Sequence, residues 1–324
     1  MIRTLLTAFC FLIVTPMVSA ADKTDQFESA WRGWMTDQGI KAGTIAIGFE
    51  GNLAREAGIG WPADHAAPIA SLSKLITGLC ILDLVDKGQL SLEATIGEIF
   101  PDYPTARGAE EMVLGDILTH SAGLGNDRTQ KKMPLWLGDK NPRHAEVAKH
   151  TIRKGPHQPI KGKYFYNNEN YAILGHVIET ITGETYAAYC AGEILKPAGV
   201  TSAKLSSLYG GFAAWGGWEM NAGDYLKMAN SRLALNTKLG GNPFAFPHRA
   251  IANGMFYGPG IVFRTFGGGH NFWHFGAYCI DRFQAGTFFV QWQNGYSVTV
   301  LTDTCFDDAK MISLDGALTK AAFR

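Results

Sequence analysis

The chain has 324 residues, and its 29 Lys and Arg balance 29 Asp and Glu, so it carries no formal net charge. That length suffices for a large core, built as one domain or as two lobes. The balance argues against a nucleic acid or an anionic membrane surface as partner, and no repeat period or low-complexity tract is present.

The N-terminus reads as a secretory signal. Arg3 supplies the positive end, residues 5–14 an apolar run too short to span a bilayer comfortably, and Val18-Ser19-Ala20 small residues at the cleavage positions. A short membrane anchor is the alternative. The expected organisation is a signal peptide over 1–20 and one catalytic domain over 21–324, secreted or, in a Gram-negative source, periplasmic. Cys10 lies in the signal. The other four cysteines, Cys80, Cys190, Cys279 and Cys305, permit two disulfides in an oxidising compartment. Cys279 with Cys305, near C-terminal strands, and Cys80 with Cys190, on helices, are the favoured pairs, with buried free thiols as the alternative.

In chain order, residues 27–38 read as a helix with Trp31 and Trp34 on one side. Residues 43–50 and 54–57 read as a hairpin about Gly51-Asn52. A loop then leads to Ser71. The helix beyond it carries Leu72, Ile76, Leu79 and Cys80 at helical spacing, and should stop near Asp86 before Gly88. Residues 113–118 form another helical segment. Residues 125–145 read as a long loop or lid, with His144 and His150 in solvent. None of the nine histidines stands at metal-ligand spacing. A helix through Tyr171, Leu174, Ile178 and Ile181 should end at Gly183, a second covers 186–195, and a third runs to about Leu233. From Gly258 the pattern turns to short strands at 260–266, 273–280, 286–292 and 298–302, an antiparallel meander, and a helix over 307–322 closes the chain. The expected fold class is α+β: an antiparallel sheet flanked by helices, made from residues 21–70 and 250–324, beside a mainly helical lobe over 71–249.

Chemistry gathers at Ser71-Leu72-Ser73-Lys74. On a helix, positions i and i+3 share a face, so Ser71 and Lys74 put a hydroxyl beside an amine. A serine nucleophile needs a base within hydrogen-bond reach, and a desolvated lysine can serve. A helix start also offers free N–H groups to a developing oxyanion. The same residues fit a surface helix start, with Ser71 as a cap and Lys74 in solvent.

Further motifs decide between these readings. Ser71-Leu72-Ser73-Lys74, then Leu118-Thr119-His120-Ser121-Ala122-Gly123-Leu124, then Tyr166-Asn167-Asn168, then His274-Phe275-Gly276 stand in the order found in the serine β-lactamase and penicillin-binding-protein superfamily. The chain resembles that superfamily, and most nearly its class C β-lactamase-like serine hydrolases, from about residue 43 to 302. The resemblance implies a β-lactamase/transpeptidase-like fold and acyl transfer without metal or organic cofactor. Ser71 would be the nucleophile, and Lys74 and Tyr166 would share the base role. Asn168 would hold Lys74 and bind the substrate amide, and the N–H groups of Ser71 and Ala277 would form the oxyanion hole beside Gly276. His274 replaces the lysine of the Lys-Thr-Gly found in classical β-lactamases. An imidazole, only partly charged near neutral pH, removes a permanent anchor for a β-lactam carboxylate. The resemblance thus favours an ester, amide or D-amino-acid peptide, with peptidoglycan fragments as a natural target. A true β-lactamase, or a non-catalytic penicillin-binding or sensor protein of the same fold, are the competing readings.

Overall fold

The computed structural model describes residues 20–324, with side chains from residue 23 onward. The expected signal peptide, but for Ala20, and Cys10 lie outside the described residues.

An eight-stranded antiparallel sheet organises the molecule, in the order β2-β1-β11-β10-β9-β8-β7-β6. The strands are β1 (Gly43–Phe49), β2 (Asn52–Ile59), β6 (Arg249–Ala252), β7 (Met255–Tyr257), β8 (Val262–Phe266), β9 (Gly269–Ile280), β10 (Phe283–Gln291) and β11 (Tyr296–Thr302). The two ends of the chain meet in the sheet, where β1 pairs with β11, Ile45 opposite Val300. Alternate side chains point to opposite faces. Ile45 and Ile47 join Val298 and Val300 beneath Phe27 and Trp31 of the N-terminal helix (Ala20–Asp37) and Leu314 and Leu318 of the C-terminal helix (Asp308–Phe323). Ala46, Phe289 and Leu301 face the helical layer instead. With both faces covered, β1 and β11 are buried almost throughout. Each fully buried side chain of the size of Phe27 contributes roughly 1.5–3 kcal/mol of transfer free energy. The expected C-terminal meander gains β6 and β7, strands of four and three residues, too short to leave an alternating signal.

The Ser73–Asp86 helix runs through the helical layer, with eleven of its fourteen residues buried. A helix apolar on all sides is a core helix. It ends as expected before Gly88, whose φ is +68°. The Asn168–Thr182 helix lies against it and is closed by Gly183 at φ +71°. Cys80 is bonded to Cys190 and Cys279 to Cys305, with Cα separations of 5.7 and 5.1 Å. A small sheet, β3 (Ala67–Pro68), β4 (Lys204–Leu205) and β5 (Trp218–Met220), in the order β3-β5-β4, carries the chain into Ser71.

Two expectations for residues 125–145 change. The segment is not plain loop, since it contains short helical turns at Thr129–Lys132 and Met133–Trp136. His144 is not in solvent: it opens the His144–Lys154 helix, is 1% exposed, and meets Glu179 through Nε2 at 2.9 Å. The partner that compensates its burial comes from another helix, which the local sequence does not reveal. His150 is half-buried. Among the described residues, no helix is long and apolar enough to cross a membrane, and no cluster of His, Cys, Asp and Glu has the makings of a metal site.

Candidate active site

Ser71 sits in a tight turn, Ala70–Leu72, between β3 and the Ser73–Asp86 helix. Ile69 N–H donates to the Trp218 carbonyl at 3.0 Å and anchors the approach. Ala70 takes the left-handed conformation at φ +46°, uncommon for a residue with a side chain, so surrounding contacts hold the turn in shape. The sequence places Lys74 one turn on, and the structure puts its Nζ 3.2 Å from Ser71 Oγ. Nζ also donates to the Trp215 carbonyl at 2.7 Å and lies 4.9 Å from the centre of the Tyr166 ring. Lys74 is wholly buried, and burial lowers its pKa to about 7, against a smaller opposing pull from the Asp127 carboxylate. Near neutral pH the amine is therefore partly unprotonated, and in that form it can keep one hydrogen on the Trp215 carbonyl and turn its lone pair to the serine hydroxyl. The surface-cap reading of Ser71 and Lys74 does not fit this geometry.

Tyr166 is set by His120. Phe165 N–H donates to the His120 carbonyl at 2.8 Å and Asn167 N–H to His120 Nδ1 at 3.3 Å, so the residues on both sides of Tyr166 are tied to one histidine. Asn170 Nδ2 reaches the same ring nitrogen at 3.1 Å, and the His120 and Tyr166 rings lie 4.5 Å apart. His120 has φ +58° and is buried, and burial and then the Lys74 charge keep it neutral. Since Nδ1 accepts twice, the proton is assigned to Nε2. Burial pushes the Tyr166 phenol well above its ordinary 10, with its hydrogen bond to Ser71 opposing. Tyr166 is thus a neutral phenol on the serine hydroxyl.

Asn168 does not hold Lys74. Its side-chain amide donates to Thr129 Oγ1 at 3.1 Å and its backbone N–H to Asp127 Oδ2 at 3.2 Å. Asn168 is the first residue of its helix, capped by the Asn167 side chain, and its amide turns toward the 127–129 turn. Asp127 Oδ1 accepts from Thr129 N–H and Oγ1–H at 2.9 and 2.6 Å. Glu169, 2% exposed, takes Arg128 bidentately, with both contacts at 2.7 Å. Asn168 and Glu169 therefore pin the 127–129 turn against the site, and the Trp215 carbonyl is what orients the lysine.

His274-Phe275-Gly276 lie on β9. His274 is not partly charged: at 5% exposure its pKa is lowered to about 3, first by burial and then by the Lys74 charge. Its Nδ1–H donates to the Phe275 carbonyl at 2.7 Å, and Nε2 accepts from the Tyr257 hydroxyl at 3.3 Å. Gly276 has a steric reason. A Cβ there would stand 2.5 Å from Ser71 N and 2.9 Å from Ala70 Cβ, so only glycine lets β9 come this close to Ser71. β8 pairs with β9 no further than Trp273. From His274 on, β9 keeps β10 as a neighbour, and its other edge faces the cleft at Ala277.

Ser71, Tyr166, His274, Gly276 and Ala277 all line a cavity of about 330 Å³, walled by Tyr164, Ile251, Met255, Tyr257, Val262, Trp273 and Phe275. Ala277 also borders a groove of about 450 Å³ that runs along Tyr278–Asp281 opposite Gln130, Met133 and Pro134. The structure thus brings together every predicted site residue except Asn168, which stands behind the wall. Sequence reasoning missed Trp215, which acts through a carbonyl any residue owns, and Tyr257 on β7. It also missed Asp127, whose Asp-x-Thr turn signal was available in a segment read as loop. His120 was noticed as part of a structural signature, without its hold on Tyr166.

Fold and motif order together define the class: this is a member of the serine β-lactamase and penicillin-binding-protein superfamily. The chain belongs to the Beta-lactamase family, whose model matches residues 27–304. Penicillin-binding protein 4 of Amycolatopsis lactamdurans is 26% identical over 175 residues, 51% of this chain and 45% of that protein. The chain spans less than half the length of the curated relatives it matches. The octameric penicillin-binding protein homologue from Pyrococcus abyssi superposes with a TM-score of 0.76 at 19% identity, over 92% of this chain and 77% of that one. D-amino acid amidase from Ochrobactrum anthropi SV3, complexed with L-phenylalanine amide, gives 0.74 at 17% identity, over 93% and 98%. At such identities the structural likeness is one of fold.

Proposed function

We propose that the protein is an exported serine hydrolase that cleaves an ester, amide or D-amino-acid peptide through an acyl-enzyme on Ser71. The observation that carries this reading is the wholly buried Lys74 amine, 3.2 Å from the Ser71 hydroxyl with its pKa drawn down to about 7. A base works best when its pKa lies near the working pH. Lys74 is accordingly the general base, and Tyr166, held as a neutral phenol on Ser71, is the proton relay.

Lys74 takes the Ser71 proton as Oγ bonds to the substrate carbonyl carbon. The N–H groups of Ser71 and Ala277 receive the charge on the carbonyl oxygen. The bond to the leaving group breaks, and that group takes a proton passed from Lys74 through Tyr166. Water then attacks the acyl-serine and gives a proton to the same base. The carboxylic acid departs and the Ser71 hydroxyl is restored. The amidase of like fold gives support for amide chemistry on this scaffold. The two disulfides support an oxidising compartment and, with the leader-like N-terminus, export. Residues 21–324 are proposed to act as one catalytic domain.

The test is pre-steady-state hydrolysis of a p-nitrophenyl ester. The expected result is a burst of about one equivalent of p-nitrophenol per enzyme followed by slower turnover, absent in Ser71→Ala. Stoichiometric release with no turnover would favour the penicillin-binding or sensor reading. Turnover of β-lactams at rates above those of esters would favour a true β-lactamase.

A further inference from the structure

The 330 Å³ cavity begins at Ser71. Tyr166, the residue placed to hand a proton to the departing atom, lines it together with Ser71, so the leaving group goes there. The acyl part then extends the other way, past Ala277, into the groove along Tyr278–Asp281. None of the twelve residues lining the cavity is Lys, Arg, Asp or Glu. His274 stands where a cation would answer a leaving-group carboxylate, and both its ring nitrogens are taken, by the Phe275 carbonyl and the Tyr257 hydroxyl. Arg249, at the start of β6, is held by Asp116 at 2.7 Å. The rest of the wall is apolar or aromatic, with Ile251, Met255 and Trp273 on it.

From this we infer that the enzyme is specific for esters or amides whose leaving group is neutral and apolar, an aryl or alkyl alcohol or amine. It excludes leaving groups that end in a carboxylate, such as a C-terminal amino acid. The inference rests on the acyl-enzyme reading above and narrows it. A cavity of this size suits a small ring or short chain. A carboxylate entering it would lose its hydration with no cation among the lining residues to answer it, Tyr164 and Trp273 bringing only neutral donors. That penalty should cost about tenfold or more in kcat/KM.

The test is a matched pair: the phenyl and the meta-carboxyphenyl ester of one acid, whose leaving phenols have similar basicity, so intrinsic reactivity cancels. Wild type is expected to favour the phenyl ester at least tenfold in kcat/KM. Met255→Lys, which puts a cation on the wall, should narrow that ratio about tenfold. Because a ratio is read, any general loss of activity cancels, and Ile251→Lys reads the same wall if Met255→Lys does not fold. Equal rates or preference for the carboxylate ester in wild type, or a ratio unmoved by both variants, overturns the pocket assignment alone. Ser71-dependent turnover of neither ester overturns the acyl-enzyme reading and this inference with it.

Discussion

The central physical event is the burial of one amine. Lys74 gives up water, keeps the Trp215 carbonyl and the Ser71 hydroxyl as partners, and is left with a proton affinity fit for a base near neutral pH. The sign of the pH dependence follows. Only the unprotonated amine can accept the serine proton, so kcat/KM should fall about tenfold per unit as pH drops below about 7. The Asp127 carboxylate favours the protonated amine and so raises this midpoint. Asp127→Asn keeps an oxygen for Thr129, gives up the second oxygen that accepts from Asn168 N–H, and removes the charge. Its acid limb should lie at lower pH than in wild type, and an unchanged or raised midpoint in a pH–rate profile would contradict the electrostatic role. The serine and lysine were legible in the sequence because spacing alone puts them on one face. The charge of His274 was not, because an imidazole's protonation is decided by burial and by a lysine two hundred residues away in the chain.

At the scale of elements, the site is a seam between the Ala70–Leu72 turn and β9, and Gly276 sets its width. Gly276→Ala would place a methyl against Ser71 N and Ala70 Cβ, with backbone on one side and a packed turn on the other. Displacement by a fraction of an ångström to an ångström at the nucleophile should lower kcat/KM about a hundredfold, while near- and far-ultraviolet circular dichroism stay native. Retained activity would mean that β9 does not border the reacting centre. The long helices and the main strands were legible because their apolar periods are strong. Strands β6 and β7 were not, since four and three residues hold no period. They build the Ile251 and Met255 wall, so that side of the cavity was the part of the site least visible in the sequence.

Across the whole molecule, the candidate site draws on distant stretches, among them the Ser71 turn, the His120 loop, the start of the Asn168–Thr182 helix, and β9. The helical layer fixes the first three, and the sheet, closed by β1 pairing with β11, fixes the last. The Cys80–Cys190 bond joins the Ser73–Asp86 helix to the segment after Tyr186, and Cys279–Cys305 ties the end of β9 to the chain leaving β11. Order of motifs was legible at this scale because the family's fold brings them to one cleft in that order. The hold of His120 on Tyr166 and of Asn168 on Thr129 was not, since both arise where separate loops meet.

The most direct measurement is the intact mass of the purified protein after reaction with a fluorophosphonate, beside Ser71→Ala. An activated Ser71 gives one adduct on the wild type and none on the variant. An adduct on both, with Ser73 the first alternative nucleophile, or none on a folded wild type, would contradict the account.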